Sequence, residues 1–313
     1  MTETILVTGA TGTVGSEVVK HLVSSSKAGG VGKGKKNIIV KAAVRSVAND
    51  NNTFQNLKEE VQTVQLDYDK PDTLAAAFRD VDKLFLLTPF QSDMVDLTSN
   101  LVREAKNARV KYIVKQSVMG ADAEPGITPG RLHRQAEKII EESKISFTFL
   151  RPNFFMQNFV TFYSHSIKTQ GAFYVPAADA KVSFVDVRDI AAVAVQALVT
   201  TTTNDGGGGR DKHKGKAYNI TGGEALSYGQ AAEIISNEVE KKVSYVNVSD
   251  EDARKGMKDI GMDEWTVNSM IELFEITRAG YVSTISPVVE QVTGNKPISF
   301  SQFVNDYVEV FRS

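Results

Sequence analysis

The chain is predicted to fold as a doubly wound parallel α/β sheet of the Rossmann kind, and three observations carry that prediction. A short apolar run, TILVT from Thr4 to Thr8, leads into a glycine loop, GATGTVG, that opens at Gly9. Beyond the loop Val14, Val18, Val19 and Leu22 recur at helical spacing. Apolar runs then alternate with helical stretches as far as Pro152, the rhythm of a parallel sheet with right-handed crossovers.

The elements follow in order. IIVKAAVR ends at Arg45 and VQTVQLD at Asp67; after the helical DTLAAAFRDV come KLFLLTP, a helix over 94–108, YIVKQS, a helix over 132–142, and SFTFLRP. Continuous apolar runs of this kind suit strands buried on both faces. Residues 1–152 are read as a nucleotide-binding domain. Residues 153–313 are read as a mixed region that completes the sheet and forms a smaller, mostly helical lobe. In that region FVDVRD near Val185 is expected as a short strand, IAAVAVQALV as an apolar helix and YNITGG as another strand, with helices from Glu251 onward. Two polar stretches, SSSKAGGVGKGKKN (24–37) and TTTTNDGGGGRDKHKG (200–215), read as insertions forming mobile surface loops.

Composition narrows the function classes. The 313 residues are 42% hydrophobic and 24% charged, ordinary globular values. A formal charge of −2 argues against a nucleic-acid binder, which needs a basic surface for phosphate contacts. With no cysteine, thiolate metal sites, disulfides and cysteine nucleophiles are excluded. His21, His133, His165 and His213 show no ligand spacing, so no metal site is expected. No apolar run reaches membrane-spanning length and no signal-peptide succession opens the chain, so the protein is expected to be cytoplasmic, without membrane contact.

The glycine loop points to a cofactor. Gly9 permits a tight turn off the strand, Gly12 lets backbone approach a diphosphate, and Gly15 lets the helix pack closely on the sheet. Thr11, Thr13 and Val14 share that loop and the helix start, whose free N–H groups and partial positive charge favour an anion. The end of the second strand distinguishes the dinucleotides, because an acidic residue there accepts ribose hydroxyls and a basic one holds a 2′-phosphate. That place is held by Arg45, and no Asp or Glu lies between Ile38 and Ser46, so NADP(H) is expected. Asp67 and Tyr68 stand at the height of the adenine edge, and Leu87, Thr88 and Pro89 where the chain passes diphosphate and ribose.

With VTGATGTVG, VRS at Arg45, LDYDKPDTLAAAF, LFLLTP, GRLHRQAEKII, LRPNFFMQNF, FVDVRDIA and YNITGGEALSYGQAA on the page, the chain resembles the NmrA-like branch of the atypical short-chain dehydrogenase/reductases over nearly its whole length. The resemblance implies NADP(H) and a small aromatic or quinoid acceptor of hydride. Typical members of the wider superfamily carry a Tyr and, four residues later, a Lys; here Pro129 and His133 fall at those places. His133 is then the candidate for holding the nicotinamide ribose or supplying a proton, its ordinary pKa of about 6.5 leaving both forms accessible. Ser117 resembles the superfamily serine but lacks its tyrosine partner. Pro152 and Asn153 are expected beside the cofactor, with Phe90 and Phe155 beside the acceptor; Phe154, Phe159, Phe162 and Trp265 divide between core and pocket. Two function classes follow: an NADPH-dependent reductase, and a non-catalytic NADP(H)-binding sensor that acts through a protein partner.

Overall fold

In the computed structural model, which describes residues 2–28, 37–47, 53–199 and 212–312, the opening run forms strand β1 (Thr2–Val7). Its Ile5, Leu6 and Val7 are fully buried, as a strand covered on both faces requires. Helix α1 (Thr13–Ala28) follows, then β2 (Asn37–Val44), β3 (Val61–Gln65), α2 (Pro71–Ala77), β4 (Lys83–Leu86), α3 (Met94–Asn107), β5 (Tyr112–Gln116), α4 (Thr128–Ser143) and β6 (Ser146–Pro152). Next come α5 (Ser164–Gln170), β7 (Ala172–Val175), β8 (Lys181–Val182), α6 (Val187–Val199), β9 (Lys216–Ile220), β10 (Leu226–Ser227), α7 (Tyr228–Val239) and β11 (Ser244–Asn247). Five helices close the chain: α8 (Asp250–Asp259), α9 (Glu264–Arg278), α10 (Val288–Thr293), α11 (Phe300–Asp306) and α12 (Val308–Phe311).

These elements divide between two compact units interleaved in sequence. The first gathers Met1–Ala121, Leu132–Arg151 and Ile190–Tyr218; the second gathers Asp122–Arg131, Pro152–Asp189 and Asn219–Ser313. The main sheet has seven strands in the order β3-β2-β1-β4-β5-β6-β9, and the pairs from β3 to β6 run parallel. This is the doubly wound order, with its reversal between β1 and β4, beside which such sheets bind ligands. On one face of the sheet Leu6, Leu84, Leu86 and Ile113 pack with Leu74 and Phe78 of the α2 segment and Leu101 of α3.

The second unit has an aromatic core. Phe159, fully buried, meets the rings of Phe300 at 4.9 Å, Phe184 at 5.4 Å and Phe173 at 5.6 Å, all edge-on. Edge-to-face contacts at such spacing add to the area each ring removes from water. Two small sheets lie in this unit, β7 parallel to β11 and β8 antiparallel to β10. Among the described residues no helix is long and apolar enough to cross a membrane, and no cluster of His, Cys, Asp and Glu is placed to hold a metal ion.

Several local expectations are corrected. Helix α1 continues through Ser24–Ala28, so the first polar stretch is helical at its start, while 29–36 lie outside the described residues. Of the second stretch, 200–211 lie outside the described residues, and Lys212–Gly215 is an anchored turn rather than a mobile loop. There the carbonyl of His213 accepts Thr148 Oγ1 at 2.5 Å and Gly215 N–H donates to Phe147 O at 2.7 Å. FVDVRD is not a strand: Val185 makes one bridge to Phe155, and Asp186 Oδ1 then accepts the Arg188 N–H at 2.8 Å, which turns the chain into α6. Helix α4 begins at Thr128, four residues before the expected Leu132, because the Glu272 carboxylate accepts both the Thr128 N–H (2.5 Å) and its hydroxyl (3.0 Å). Pro129 falls in the first turn, where a missing N–H costs nothing. At the start of helix α2 Lys70 holds the cap position with Pro71 just inside.

Glycine is obligatory in YNITGG at one position only. A Cβ on Gly222 would stand 2.1 Å from Phe184 O, whereas one on Gly223 would meet Pro297 Cγ at an ordinary 3.9 Å. Gly222→Ala is therefore expected to cost roughly 1–3 kcal/mol and Gly223→Ala under about 1 kcal/mol, read as urea midpoints of the two variants against the parent.

Candidate functional site

The glycine turn, Arg45, Asp67 with Tyr68, and Leu87 to Pro89 follow the carboxyl ends of β1, β2, β3 and β4, neighbouring strands of the main sheet. Gly9 adopts φ +62°, and a Cβ there would lie 2.6 Å from Leu87 Cδ2. A Cβ on Gly15 would lie 2.1 Å from Gly9 O, so only glycine lets α1 come this close to the turn. Gly12 is different. Its added Cβ would meet only Gly9 O, at 3.3 Å, a tight contact but a looser one than those at Gly9 and Gly15. Thr11, Gly12 and Thr13 are exposed, while Val14 is buried and can offer only backbone. The N–H groups of Thr13, Val14 and Gly15 belong to the first helical turn, where no intrahelical acceptor exists.

Thr8, which the sequence reading passed over, clamps this arrangement. Its hydroxyl donates to Leu87 O at 2.9 Å and accepts the Leu87 N–H at 2.8 Å. Both backbone groups of Leu87 are thereby spent, so that residue positions the glycine turn through its side chain. Thr88, the next residue, is buried and its Oγ1 has no hydrogen-bond partner among the described residues.

Arg45, at the end of β2, is largely exposed. Its guanidinium donates to Asp69 at 2.9 Å, an exposed carboxylate, and its Nε lies 3.8 Å from Asp67. The acidic residues missing from 38–46 are thus supplied by the next βα connection. An exposed pair of this kind is worth about 0–1 kcal/mol, little enough for a phosphate dianion to displace Asp69. Asp67 is buried, accepts the Asp69 N–H at 3.2 Å and sits 3.3 Å from Lys70. Burial works to raise its pKa, but the Asp69 N–H, Lys70 and Arg45 outweigh it and hold the carboxyl below its usual range. Tyr68 packs against the core, and burial pushes its phenol up to about 12.

Beneath the ends of β5 and α4 lies a buried charge network. Glu137, fully buried, accepts Ser117 Oγ at 2.7 Å and Arg151 through Nε at 2.9 Å and a terminal nitrogen at 2.8 Å. Ser117 is therefore engaged structurally. Lys115 is fully buried on β5, and its ammonium donates to Gln116 O at 2.8 Å. Burial, against the pull of Glu137, brings its pKa down to about 8. One turn before Glu137, His133 has a buried Nδ1 without a hydrogen-bond partner among the described residues. Burial first and the Lys115 charge second hold His133 well below its ordinary pKa. This corrects the expectation that both its forms are accessible near neutrality: the imidazole is neutral.

In the second unit Pro152 and Asn153 are buried at the end of β6. The Asn153 amide donates to Ser183 Oγ and to Val282 O, both at 2.7 Å, so its N–H groups are committed to the fold. Phe90 of the first unit is partly exposed and Phe155 half-buried. Neither lines the cavity of about 400 Å³ that the second unit encloses between Phe162, Tyr163, Tyr174, Met257, Met270 and Phe274.

The glycine cradle, the helix start, the guanidinium at β2 and the orphaned Thr88 hydroxyl fit a dinucleotide carrying a 2′-phosphate. Thr8, which holds the glycine turn through Leu87, and Lys115 and Glu137, which belong to the buried charge network, carry no motif that marks them in the sequence, although a lysine inside the apolar run YIVKQS is a visible signal. Because the folded state resists protonating His133, the unfolded chain binds more protons below the ordinary imidazole value of about 6.5. Stability is then complete above that pH and lost as pH falls, at a limiting slope of about 1.4 kcal/mol per unit. The difference in thermal midpoint between His133→Gln and the parent should therefore shift in favour of the variant as pH falls from about 7 to 5.

Comparison with known proteins places the chain. The NmrA-like family model matches residues 1–303. The NAD(P)H azoreductase of Xenophilus azovorans is 36% identical over 307 residues, 98% of this chain and 99% of the relative. The NADPH complex of an NADPH-dependent quinone oxidoreductase from Escherichia coli has the same fold, with TM-score 0.79 and 24% identity over 97% of this chain and 99% of the other. The triphenylmethane reductase of a Citrobacter species, complexed with NADP(H), follows at TM-score 0.77 and 24% identity, covering 96% and 99%. Matched from Met1 to Phe303 by the family model, and through nearly its whole length by the azoreductase, this chain belongs to the NmrA-like family.

Proposed function

We propose that this protein is an NADPH-dependent oxidoreductase that reduces a flat, electrophilic acceptor of the quinone or dye class. The observation that carries the reading is the exposed Arg45 guanidinium at the same end of the sheet as a glycine loop opening α1. The names of the azoreductase, quinone oxidoreductase and triphenylmethane reductase support the reaction class.

Each residue then has a part. Gly9, Thr11, Gly12 and Gly15 leave the diphosphate room to approach backbone, and the N–H groups of Thr13 and Val14 meet its charge. Arg45 exchanges Asp69 for the 2′-phosphate. Asp67, ionised and held in place, accepts the exocyclic amine of adenine, with Tyr68 packed behind it. The Thr88 hydroxyl satisfies itself on a ribose or diphosphate oxygen as Leu87 and Pro89 guide the chain past. NADPH supplies the hydride. His133, neutral, orients the nicotinamide ribose by hydrogen bonding, and the proton that follows the hydride comes from water. No tyrosine acid is needed, because a quinone, an azo bond or a cationic dye accepts hydride directly once donor and acceptor are held in register. Pro152 and Asn153 fix the end of β6, and Phe90 offers apolar surface to the acceptor. The cavity of the second unit, walled by aromatic and methionine side chains, suits a ligand of the same class.

The deciding experiment is NADPH oxidation followed spectrophotometrically against a panel of quinones, azo dyes and triphenylmethane dyes. Turnover with some of them is expected; tight NADPH binding without turnover on any would overturn the reductase reading. Arg45→Asp should weaken NADPH by about tenfold or more, for the loss of charge-assisted bonds worth roughly 1.5–3 kcal/mol each, and leave NADH nearly unchanged, as titration calorimetry would read. Gly12→Val should abolish NADPH binding while the thermal midpoint falls less than in Gly15→Val, since a Cβ at Gly12 meets Gly9 O at 3.3 Å and one at Gly15 at 2.1 Å.

A further inference from the structure

The cavity of about 400 Å³ in the second unit has the volume of a small-molecule site, and helix α8 forms one of its walls. Asp252, Ala253, Gly256 and Met257, with Ile260 just beyond the helix, line it at the spacing of a single helical face. An amphipathic helix ordinarily buries its apolar stripe, yet no residue of α8 is buried. Gly256 stands in the middle of this helix, where only proline is less favourable. A Cβ added there would meet no atom within 4 Å, so no protein neighbour requires the glycine. What its missing side chain keeps clear is the cavity.

A second wall is rigid and aromatic. The chain enters α5 through one π-helical turn, Phe159–Tyr163, a rare geometry that recurs at functional sites. Phe159 goes to the aromatic core, whereas Phe162 and Tyr163 line the cavity. The Tyr163 ring stacks on Phe173 at 5.4 Å and meets Phe159 edge-on at 5.5 Å, which fixes it before a ligand arrives. Met257, Met262 and Met270 supply an adaptable part of the lining. Three lining residues keep apolar surface in water: Phe162 is 47% exposed, Tyr174 46% and Ile260 70%. Among the described residues the one charged side chain on the lining is Asp252, which is exposed and accepts Ser249 Oγ at 2.6 Å. An anion would meet no cation here, while a cation is attracted by the carboxylate and by the aromatic faces. An α-helix of a partner, about 10 Å across, would fill this volume in roughly one turn, so the space suits a small molecule. We infer that the cavity is a binding site for a flat aromatic molecule, uncharged or cationic, that Gly256 keeps room for it, and that binding needs no cofactor.

The test is calorimetric titration of the full chain, without NADPH, with crystal violet (a cationic triphenylmethane dye), uncharged naphthoquinone and methyl orange (a sulfonated azo dye). Crystal violet and naphthoquinone should bind in the micromolar range, and methyl orange about tenfold or more weaker than crystal violet. Asp252→Asn should narrow that gap. Gly256→Ala should raise the thermal midpoint by about 1–3 °C, as a helix interior gains from the change, yet weaken crystal violet and naphthoquinone severalfold. Gly256→Leu should weaken them by about tenfold or more. Both variants are expected to fold, since the added Cβ meets no protein atom; should Gly256→Leu not fold, Gly256→Ala decides. No binding of crystal violet or naphthoquinone to the parent, methyl orange bound as tightly as crystal violet, or affinities unmoved by Gly256→Leu would each overturn the inference. So would a dimer in sedimentation that Gly256→Leu dissociates, because a second copy would then cover this face. The titrations need no turnover, so failure of the reductase assay leaves them untouched and the two readings fail separately.

Discussion

Between Gly9 O and the α carbon of Gly15 there is no room for a side-chain carbon, and the candidate cofactor site depends on that absence. Close packing of α1 onto the turn puts its first-turn N–H groups at the end of β1, where the strand order reverses. The Thr8 hydroxyl holds β1 to the end of β4 by bonding both backbone groups of Leu87. Leu87 in turn presses its side chain against the glycine turn. A single constraint thereby connects loop conformation, strand pairing and the direction in which N–H groups point.

The second determinant is electrostatic. Removing Glu137, Arg151 and Lys115 from water is costly, and the cost is offset only where hydrogen bonds and opposite charges satisfy each group. Glu137 meets that condition through Ser117 and Arg151; Lys115 meets it in part. Burial, against the pull of Glu137, lowers the Lys115 pKa, and burial first and the Lys115 charge second lower that of His133. A network that ties β5, α4 and β6 together thus also sets the state of the one histidine that lies on α4.

Charge at the end of β2 follows a different rule, because it lies in solvent. The Arg45 pair with Asp69 is held weakly, and that weakness is useful: a guanidinium parked on an exposed carboxylate stays oriented at small cost and remains available to a stronger anion. Asp67, buried beside it, is kept ionised by Lys70, the Asp69 N–H and Arg45, which makes it a hydrogen-bond acceptor at all but acidic pH.

The order of β-strands up to Pro152, the glycine loop and the basic residue at the second strand end were legible in the chain because each rests on local rules: apolar periodicity, the missing Cβ of glycine, and the charge of one side chain. The start of α4 was not, since its cap, Glu272, lies 144 residues further along. Nor was the anchoring of Lys212–Gly215 on β6, or the absence of a strand at FVDVRD, where Asp186 redirects the chain by a bond to Arg188. His133 could be placed from sequence, but its protonation state could not, because burial and the field of Lys115 come from residues that only folding brings near. Sequence by itself determined the doubly wound class and the place of the glycine loop between β1 and α1. Tertiary structure alone decided which polar groups are spent on the fold and which, like Thr88 Oγ1 and His133 Nδ1, are left without a partner among the described residues, since hydrogen-bond satisfaction depends on neighbours distant in the chain.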